Sequence, residues 1–414
     1  YADHDTVTLE NTGTINSGNN TIGMYGYSVK NSGDLKIGNA AIGIYSQSGN
    51  VDLTGGTVTT GTDEAVGVYT VGNKQTVTNS GTKFDIGENS FGFVNVGKGN
   101  KIYSNIPSIT LKKNNVYIYS NDTAGYVENK TNITSGTGAE TNYGIYSAGT
   151  VTNNGNIDLS SGKGSVAIYS INGGTATNDG GTITVGESYV SPDPEKSRYS
   201  IGMGAGFAGD SAKGISAYAG NIVNKGTINV NGKYSIGMYA TESGSTATND
   251  GNIVLNADST TGIYVDNGAK AINNKSITTG SGTYSNVVGV YLGKDTRLIN
   301  NKGATININA KNGVGVYLKG GTVENYGTIK VNGKEKTNDN SIDGVMIYEF
   351  TLPDTGKGLG GVAIDAPAGA STATITLNGV PQTPVVVTTT GRNPITVSAS
   401  SIGLYVNTSG VDYT

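Results

Sequence analysis

The chain has 414 residues, of which only 14% are charged, and its net charge is −4. Because phosphate binding needs a basic surface, this balance argues against nucleic acid as a partner. Cysteine is absent, which excludes disulfides and thiol chemistry, and no run approaches the ~20 apolar residues of a membrane helix. The chain has 65 glycines and 8 prolines and is rich in Val, Ile, Thr and Tyr, a composition typical of strands joined by tight turns.

A quartet of apolar, Gly, apolar and Tyr residues recurs along the chain about 20 to 27 residues apart, a spacing typical of solenoid coils. Degenerate copies begin at residues 91, 116 and 166. The clear copies are Ile22–Tyr25, Ile42–Tyr45, Val66–Tyr69, Tyr143–Tyr146, Ile236–Tyr239, Thr261–Tyr264, Val288–Tyr291, Val314–Tyr317 and Ile402–Tyr405.

A second pattern follows the quartets and reads apolar-x-Asn-x-Gly-x-apolar-x-apolar, as in Val323, Asn325, Gly327, Ile329 and Val331. The spacing of two is that of a strand, whereas apolar spacing typical of a helix is not sustained in any window. Three short strands per period predict an all-β parallel β-helix of about fifteen coils with essentially no α-helix, roughly 70 Å long at the usual strand separation.

Equivalent residues of successive coils would stack. We expect Val314, Val316, Val323, Ile329 and Val331 to face the core. The recurrent asparagines (Asn31, Asn249 and Asn325) would form a ladder at an inward corner, where their amides satisfy buried backbone groups. The glycine after each asparagine would supply a positive φ at that corner.

The parity of the quartet predicts that its glycine and tyrosine point outward. A row of tyrosines would then run along the outside: Tyr25, Tyr45, Tyr69, Tyr239, Tyr264, Tyr291 and Tyr317. Tyrosine suits sugars and proteins as partners because its ring gives a large contact area at low entropic cost. The alternative, favoured by the uniformity of the row, is that each ring covers a neighbouring glycine and stiffens the rod.

The repeat region covers residues 1–360 and is interrupted at about 186–220 and 333–360. Residues 361–414 differ in composition, and we interpret them as a capping segment that closes or extends the rod. Binding is often located in loops on a rigid scaffold, although drift of exposed loops is the simpler explanation. The candidate binding residues are Tyr189, Glu195, Lys196, Arg198, Tyr199, Phe207, Tyr348 and Phe350.

Residues for catalysis are scarce. His4 is the only histidine and lies near the start of the chain, and no metal-ligand spacing is present. Cleavage of a polysaccharide would need two close carboxylates or a calcium-assisted basic residue, but aspartates are scattered and arginine occurs only at 198, 297 and 392. We therefore expect no enzymatic activity, no metal and no cofactor.

The Gly-Ile-Tyr and Asn-x-Gly-Thr-Ile units resemble the passenger repeats of type V autotransporter adhesins, especially large fusobacterial outer-membrane adhesins. The tail 392–414 resembles the membrane-proximal end of such passengers. The resemblance implies a right-handed β-helix on the bacterial cell surface, held by a C-terminal barrel outside this sequence. It also implies attachment to proteins or glycans of host cells or partner bacteria. It supplies no binding residue. We expect a monomer excised from such a protein.

Three functions stay open at this point. The segment could bind partner cells itself, it could be a stalk that holds a distal binding domain away from the membrane, or it could act on polysaccharides. The uniform repeats favour the stalk, whereas the interruption at 186–220 favours local binding.

Overall fold

The computed structural model describes residues 1–2 and 4–331, together with the backbone of six short strands between residues 362 and 406. Within these residues the fold is the predicted all-β parallel β-helix. It has twelve complete coils rather than about fifteen. The only helical elements of the described residues are two 3-10 turns, Pro194–Lys196 and Ser211–Lys213.

Each coil contributes one strand to each of three sheets. The first, the asparagine sheet, consists of β1 Thr8–Asn11, β4 Ser28–Asn31, β7 Val51–Leu53, β10 Thr76–Asn79, β13 Lys101–Ser104, β16 Tyr126–Asn129, β19 Thr150–Asn153, β22 Thr175–Asn178, β25 Asn221–Asn224, β28 Thr246–Asn249, β31 Lys270–Asn273, β34 Thr296–Asn300 and β37 Gly321–Asn325.

The middle sheet is divided in two. Its first part consists of β2 Thr14–Asn16, β5 Asp34–Lys36, β8 Thr57–Thr59 and β11 Lys83–Asp85. Its second part consists of β14 Ser108–Leu111, β17 Asn132–Ser135, β20 Ile157–Leu159, β23 Thr182–Val185, β26 Thr227–Val230, β29 Asn252–Leu255, β32 Ser276–Thr279, β35 Thr305–Ile308, β38 Thr328–Val331 and β43 Ile395–Val397.

The third sheet, the tyrosine sheet, carries the quartets. It consists of β3 Ile22–Gly26, β6 Ile42–Ser46, β9 Val66–Thr70, β12 Phe91–Asn95, β15 Val116–Ser120, β18 Tyr143–Ser147, β21 Val166–Ser170, β24 Ile201–Ala205, β27 Ile236–Thr241, β30 Thr261–Asp266, β33 Val288–Leu292, β36 Val314–Leu318 and β44 Ile402–Val406. Four further strands pair antiparallel with one another: β39 Val362–Asp365, β40 Thr372–Leu377, β41 Val380–Pro381 and β42 Val385–Val386.

The inward residues of the three sheets form one continuous apolar core along the rod. Val316, Ile329 and Val331 are fully buried in it, as the alternation predicts. Val323 is partly buried and packs against this core, as predicted, whereas Val314 is only partly buried. No coil has a core of its own, so the fold depends on stacking between coils.

The prediction for the quartet glycine is wrong, because this glycine faces inward. A Cβ built on Gly262 would lie 2.5 Å from the carbonyl oxygen of Gly289 and 2.6 Å from Cγ2 of Ile277 in the core. Glycine and the third quartet residue both face the core, which leaves the first residue outside and explains the half-exposed Val314. In the one coil where Tyr117 occupies the glycine position, its ring is fully buried.

The asparagines stack as a hydrogen-bonded ladder at a buried corner. From Asn129 to Asn300 each amide nitrogen donates to the side-chain oxygen of the asparagine one coil further, over 2.7 to 3.0 Å, and Asn325 accepts the last bond. Several of the same nitrogens also donate to a turn carbonyl, as Asn153 does to Gly155 over 2.8 Å. Asn31 donates likewise to Gly33 and accepts from Asn11. Many of the amides therefore satisfy buried backbone groups as well as their neighbours.

The glycine after each asparagine is needed for a different reason from the one predicted. Gly33, Gly251 and Gly327 do not adopt a positive φ. A Cβ on Gly251 would instead collide with the carbonyl oxygen of Gly226 in the preceding coil. The left-handed residues sit mainly at the turns into the tyrosine sheet, where asparagine often fills the position, as at Asn89 and Asn312.

The interruption at 186–220 is not one insertion, because β24 crosses the tyrosine sheet within it. Two loops flank this strand, which we call the first loop (residues 189–198) and the second loop (residues 207–218). The interruption at 333–360 lies outside the described residues. In the capping segment 361–414, β43 and β44 add parallel strands to the middle and tyrosine sheets.

Candidate functional site: an aromatic groove on the tyrosine sheet

The quartet tyrosines point outward and lie half-buried on the tyrosine sheet, where they stack on one another rather than on glycines. Consecutive ring centroids lie between 4.3 and 5.8 Å apart. Three runs result. They are Tyr1, Tyr25, Tyr45 and Tyr69; Tyr119, Tyr146 and Tyr169; and Tyr239, Tyr264, Tyr291 and Tyr317. Because the ring faces are used in stacking, most of the row is a structural ladder.

The tyrosine row is broken at Val94 and at Gly204. A Cβ on Gly204 would lie 2.5 Å from the ring of Tyr169, so this ring covers the glycine. The structural interpretation proposed from the sequence, a ring over glycine, holds at this break.

The first loop is a closed hairpin. The backbones of Tyr189 and Arg198 exchange two hydrogen bonds of 2.8 and 2.7 Å. The Arg198 guanidinium donates to the carbonyl oxygens of Glu195 and Ser197 within its own loop. Lys196 pairs with Asp193 over 3.2 Å in an exposed position, an arrangement that contributes little to stability. Tyr189 and Tyr199 are exposed at 54% and 47% of their surface.

The second loop folds against the tyrosine row. Phe207 and Tyr218 exchange two backbone hydrogen bonds of 2.8 and 3.0 Å, and their ring centroids lie 5.3 Å apart. The Tyr169 hydroxyl donates to the carbonyl oxygen of Gly206 over 2.7 Å, at the base of this loop. Burial raises the pKa of Tyr146, and the nearby Tyr218 side chain adds to the rise. These contacts fix the loop beside the second tyrosine run.

A groove of about 440 Å³ lies between the second tyrosine run and the second loop. Its volume falls in the range of ligand pockets. None of its lining residues is charged, and Asp266 is the only charged residue in all the described strands of the tyrosine sheet. The lining residues are Phe91, Val116, Tyr119, Asn121, Tyr143, Tyr146, Ile171, Asn172 and Tyr218.

Burial keeps three phenols of the groove, those of Tyr119, Tyr143 and Tyr146, in the protonated form. Burial raises the pKa of Tyr119, Tyr143 and Tyr146 above the usual value for tyrosine, because the charged form would lose its hydration. For Tyr143 the nearby Arg198 opposes the rise. Each phenol can therefore both donate and accept a hydrogen bond.

The structure does not gather the predicted binding residues into one place. Five of them belong to the first loop or directly follow it: Tyr189, Glu195, Lys196, Arg198 and Tyr199. The Phe207 ring packs against the Tyr218 ring in the second loop. Tyr348 and Phe350 lie outside the described residues. None of them lines the groove.

The groove residues were missed by sequence reasoning, although the sequence contains an indication of them. Phe91 and Tyr143 are the only aromatic residues at the first position of the quartets in the described strands, where valine, isoleucine or threonine otherwise stands. This position faces outward, so an aromatic residue there changes the surface and not the core.

The described residues contain no group of three or more His, Cys, Asp or Glu side chains placed to hold a metal ion. The His4 ring is exposed, and its Nδ1 lies 2.8 Å from the Thr6 hydroxyl and 3.2 Å from the Asp5 carboxylate. Among the same residues, the helices are too short to cross a bilayer.

Residues 160–276 match a family model described as the third pectate lyase-like domain of BigA. The matched region runs from β21 to β31, includes both loops and contributes Ile171, Asn172 and Tyr218 to the groove. This part of the chain is thus similar to a pectate lyase-like β-helix. No curated protein and no solved structure matches the chain.

Proposed function

We propose that this chain is a segment of a bacterial cell-surface adhesin of the autotransporter passenger type, and that it attaches to partner cells through the aromatic groove and the second loop. The observation that carries the proposal is the groove itself. It is a neutral, aromatic recess on a rod whose other coils repeat almost unchanged.

Two further observations support this function. The similarity of residues 160–276 to the BigA domain fits a surface adhesin-type β-helix. The second loop is held by backbone pairing and by the Tyr169 hydroxyl. A loop fixed in advance loses less conformational entropy when a partner binds.

The proposed role is non-catalytic. The groove contains no carboxylate, histidine or basic side chain. Glycoside hydrolysis by the usual mechanism needs a pair of carboxylates at the scissile bond. Release of reducing ends from any polysaccharide by the purified chain would contradict this part of the proposal.

A stalk that only spaces a distal domain is the second candidate, and the unbroken ladders favour it. Eight asparagines from Asn129 to Asn325 and four tyrosines from Tyr239 to Tyr317 stack without interruption. Such a region presents the same surface in each coil and suits a rigid spacer. The stalk hypothesis predicts that the chain itself adheres to no cell.

The two candidates can be separated with a pair of loop-shortened variants. Each loop is closed by a residue pair that exchanges two hydrogen bonds, the geometry that a two-residue Asn-Gly turn can close. In one variant, Asn-Gly replaces residues 208–217. In the matched control, Asn-Gly replaces residues 190–197. Both leave β24 intact.

Fluorescent beads carrying the full chain are mixed with a panel of host cells and bacteria, and bound beads are counted. We expect saturable binding that falls at least tenfold in the variant shortened at 208–217 and is retained in the control. Absence of binding by the unaltered chain would support the stalk. Equal binding by both variants would place adhesion elsewhere.

A further inference from the structure

The lining of the groove restricts the charge of its ligand. No charged side chain lines the groove; Lys213 of the second loop is paired with Asp210 over 2.7 Å, and the Arg198 guanidinium donates to carbonyl oxygens of its own loop. An anionic or cationic ligand would lose hydration in the groove without contacting an opposite charge in its lining. The ligand is therefore uncharged where it contacts the groove.

The polar groups of the groove match a ligand that both donates and accepts hydrogen bonds at several points. The groove presents the hydroxyls of Tyr119, Tyr143, Tyr146 and Tyr218 and the amides of Asn121 and Asn172. The amides of Asn121 and Asn172 make no side-chain hydrogen bond with another described residue. Hydroxyls and amides each offer donors and acceptors, as the hydroxyls of a sugar do.

Two pairs of rings in the groove stand close to right angles, whereas Tyr119 and Tyr146 are stacked at 11°. Tyr143 and Tyr146 are 5.5 Å apart with an interplanar angle of 87°, and Phe91 and Tyr119 are 6.5 Å apart at 76°. The groove thus combines ring faces with ring edges that carry hydroxyls. A pyranose has the complementary surface, with apolar C–H faces and a rim of hydroxyls.

We propose that this groove binds an uncharged oligosaccharide, whose sugar rings pack on Phe91 and Tyr143 and whose hydroxyls bond to Tyr218, Asn172 and the second tyrosine run. The inference rests on the proposed adhesin function and assigns its ligand class. It also separates this groove from a site for pectate, which is a polyanion and would require cationic groups that the lining does not have.

A folded protein surface fits the groove less well. Stable protein–protein interfaces bury about 800 Å² on each partner, whereas this recess is formed by nine residues and has a volume of about 440 Å³. Carbohydrate is therefore the ligand class that we test, and binding of a protein is an outcome that would contradict the assignment.

The test measures binding of defined oligosaccharides to the full chain by saturation-transfer NMR. The uncharged probes are cellotetraose, maltotetraose, chitotetraose and lacto-N-tetraose, and the anionic probe is tetragalacturonate. We expect saturable binding of at least one uncharged probe and none of tetragalacturonate. Binding of tetragalacturonate alone, or of no uncharged probe, would overturn the proposal.

Two variants tie that binding to the groove. Tyr218→Phe removes one hydroxyl, and Asn172→Gly removes one amide at a left-handed position that glycine adopts readily. Each should weaken binding about fivefold, the effect of one lost hydrogen bond. Tyr45→Phe, at a stacked rung far from the groove, is the control and should change nothing. Equal affinity in all three variants would place the sugar elsewhere.

Competition in the bead assay separates the two proposals. If the bound probe displaces beads from cells, both stand. If adhesion depends on the second loop but no uncharged probe binds or competes, the ligand class is wrong and the adhesin proposal stands. If the beads adhere to no cell, the adhesin proposal fails whatever the probes do.

Discussion

The coils of residues 221–331 and those of residues 91–220 are built from the same repeat but vary at different positions. In the first region, which we call the regular coils, inward and outward positions both repeat, so asparagines and tyrosines stack without a break. In the second, which we call the groove coils, the core stays apolar while the outward positions change to Phe91, Val94, Tyr143 and Gly204.

The groove coils also contain a buried tyrosine that departs from the repeat. Tyr117 occupies an inward glycine position, and its hydroxyl lies 2.7 Å from that of Ser104, which stands where most other coils have the ladder asparagine. Ser104 in turn lies 2.7 Å from the Thr131 hydroxyl. A cluster of hydroxyls therefore replaces the amide ladder at this coil. The comparison shows that a coil can replace its ladder asparagine and inward glycine with other residues when the buried polar groups still have hydrogen-bond partners.

The largest effect on stability is expected for Tyr117→Ala. The substitution removes a fully buried ring and leaves a cavity, which costs about 4 kcal/mol of unfolding free energy, and it also strips the Ser104 hydroxyl of one partner. Urea unfolding followed by circular dichroism measures the change. A loss below about 1 kcal/mol would show that the groove coils can collapse around the missing ring.

Alkaline pH offers a sharper test of the same residue. Burial raises the pKa of Tyr117 to about 12 from the usual value near 10. A raised pKa means that the neutral phenol stabilises the fold fully below pH 10 and that this contribution is lost as pH rises towards 12. The stability difference between the unaltered chain and Tyr117→Phe should fall by about 1 kcal/mol per pH unit in that window. A constant difference would contradict the burial of this hydroxyl.

Asn249→Ala tests the ladder of the regular coils. It removes the acceptor of the Asn224 amide and the donor to Asn273 and to the carbonyl of Ser276. Because these buried groups would be left without partners, the substitution should lower the free energy of unfolding by about 3 kcal/mol. Asn79→Ala is the matched control, since Asn79 bonds to Thr82 in its own turn and not to another asparagine, and it should cost less. Equal losses would mean that stacking between amides adds nothing.

A smaller effect is expected at the surface of the regular coils. Arg297 and Glu324 form an exposed pair between coils with a nitrogen–oxygen distance of 2.6 Å. Exposed pairs of this kind contribute between about 0 and 1 kcal/mol, so Glu324→Gln should lower the unfolding free energy by less than about 1 kcal/mol. A larger loss in the same urea assay would show that surface pairs, and not the ladders, hold the coils together.

Much of the fold could be predicted from the sequence because stacking repeats one pattern many times. The period of two identified the strands, and the recurrence of Asn249 and Asn325 indicated the ladder before its geometry was known. The direction of the quartet glycine could not be read from parity, since glycine and the following residue both face inward. The glycine after each asparagine is required because the backbone of the neighbouring coil lies so close, and not because of a positive φ. The sequence of one repeat does not show how closely the coils approach each other.

The site was harder to predict than the fold. Charged and aromatic residues of the first loop, such as Lys196 and Tyr199, suggested binding, yet the groove lies on the other side of β24 and is lined by residues from four successive coils and the second loop. Tyr218 meets Tyr146 only because β18 and β24 are two coils apart in the same sheet. Contacts between residues so distant in sequence follow from the coil register and not from any local motif.

The central claim is that this chain binds where the outward pattern departs from the repeat. The most direct test is bead adhesion by the double variant Phe91→Val and Tyr143→Val, which restores the residue found at this position in β15, β33 and β36. We predict that adhesion to cells falls at least tenfold while the unfolding free energy changes by less than about 1 kcal/mol. Full adhesion by a stably folded double variant would contradict the claim.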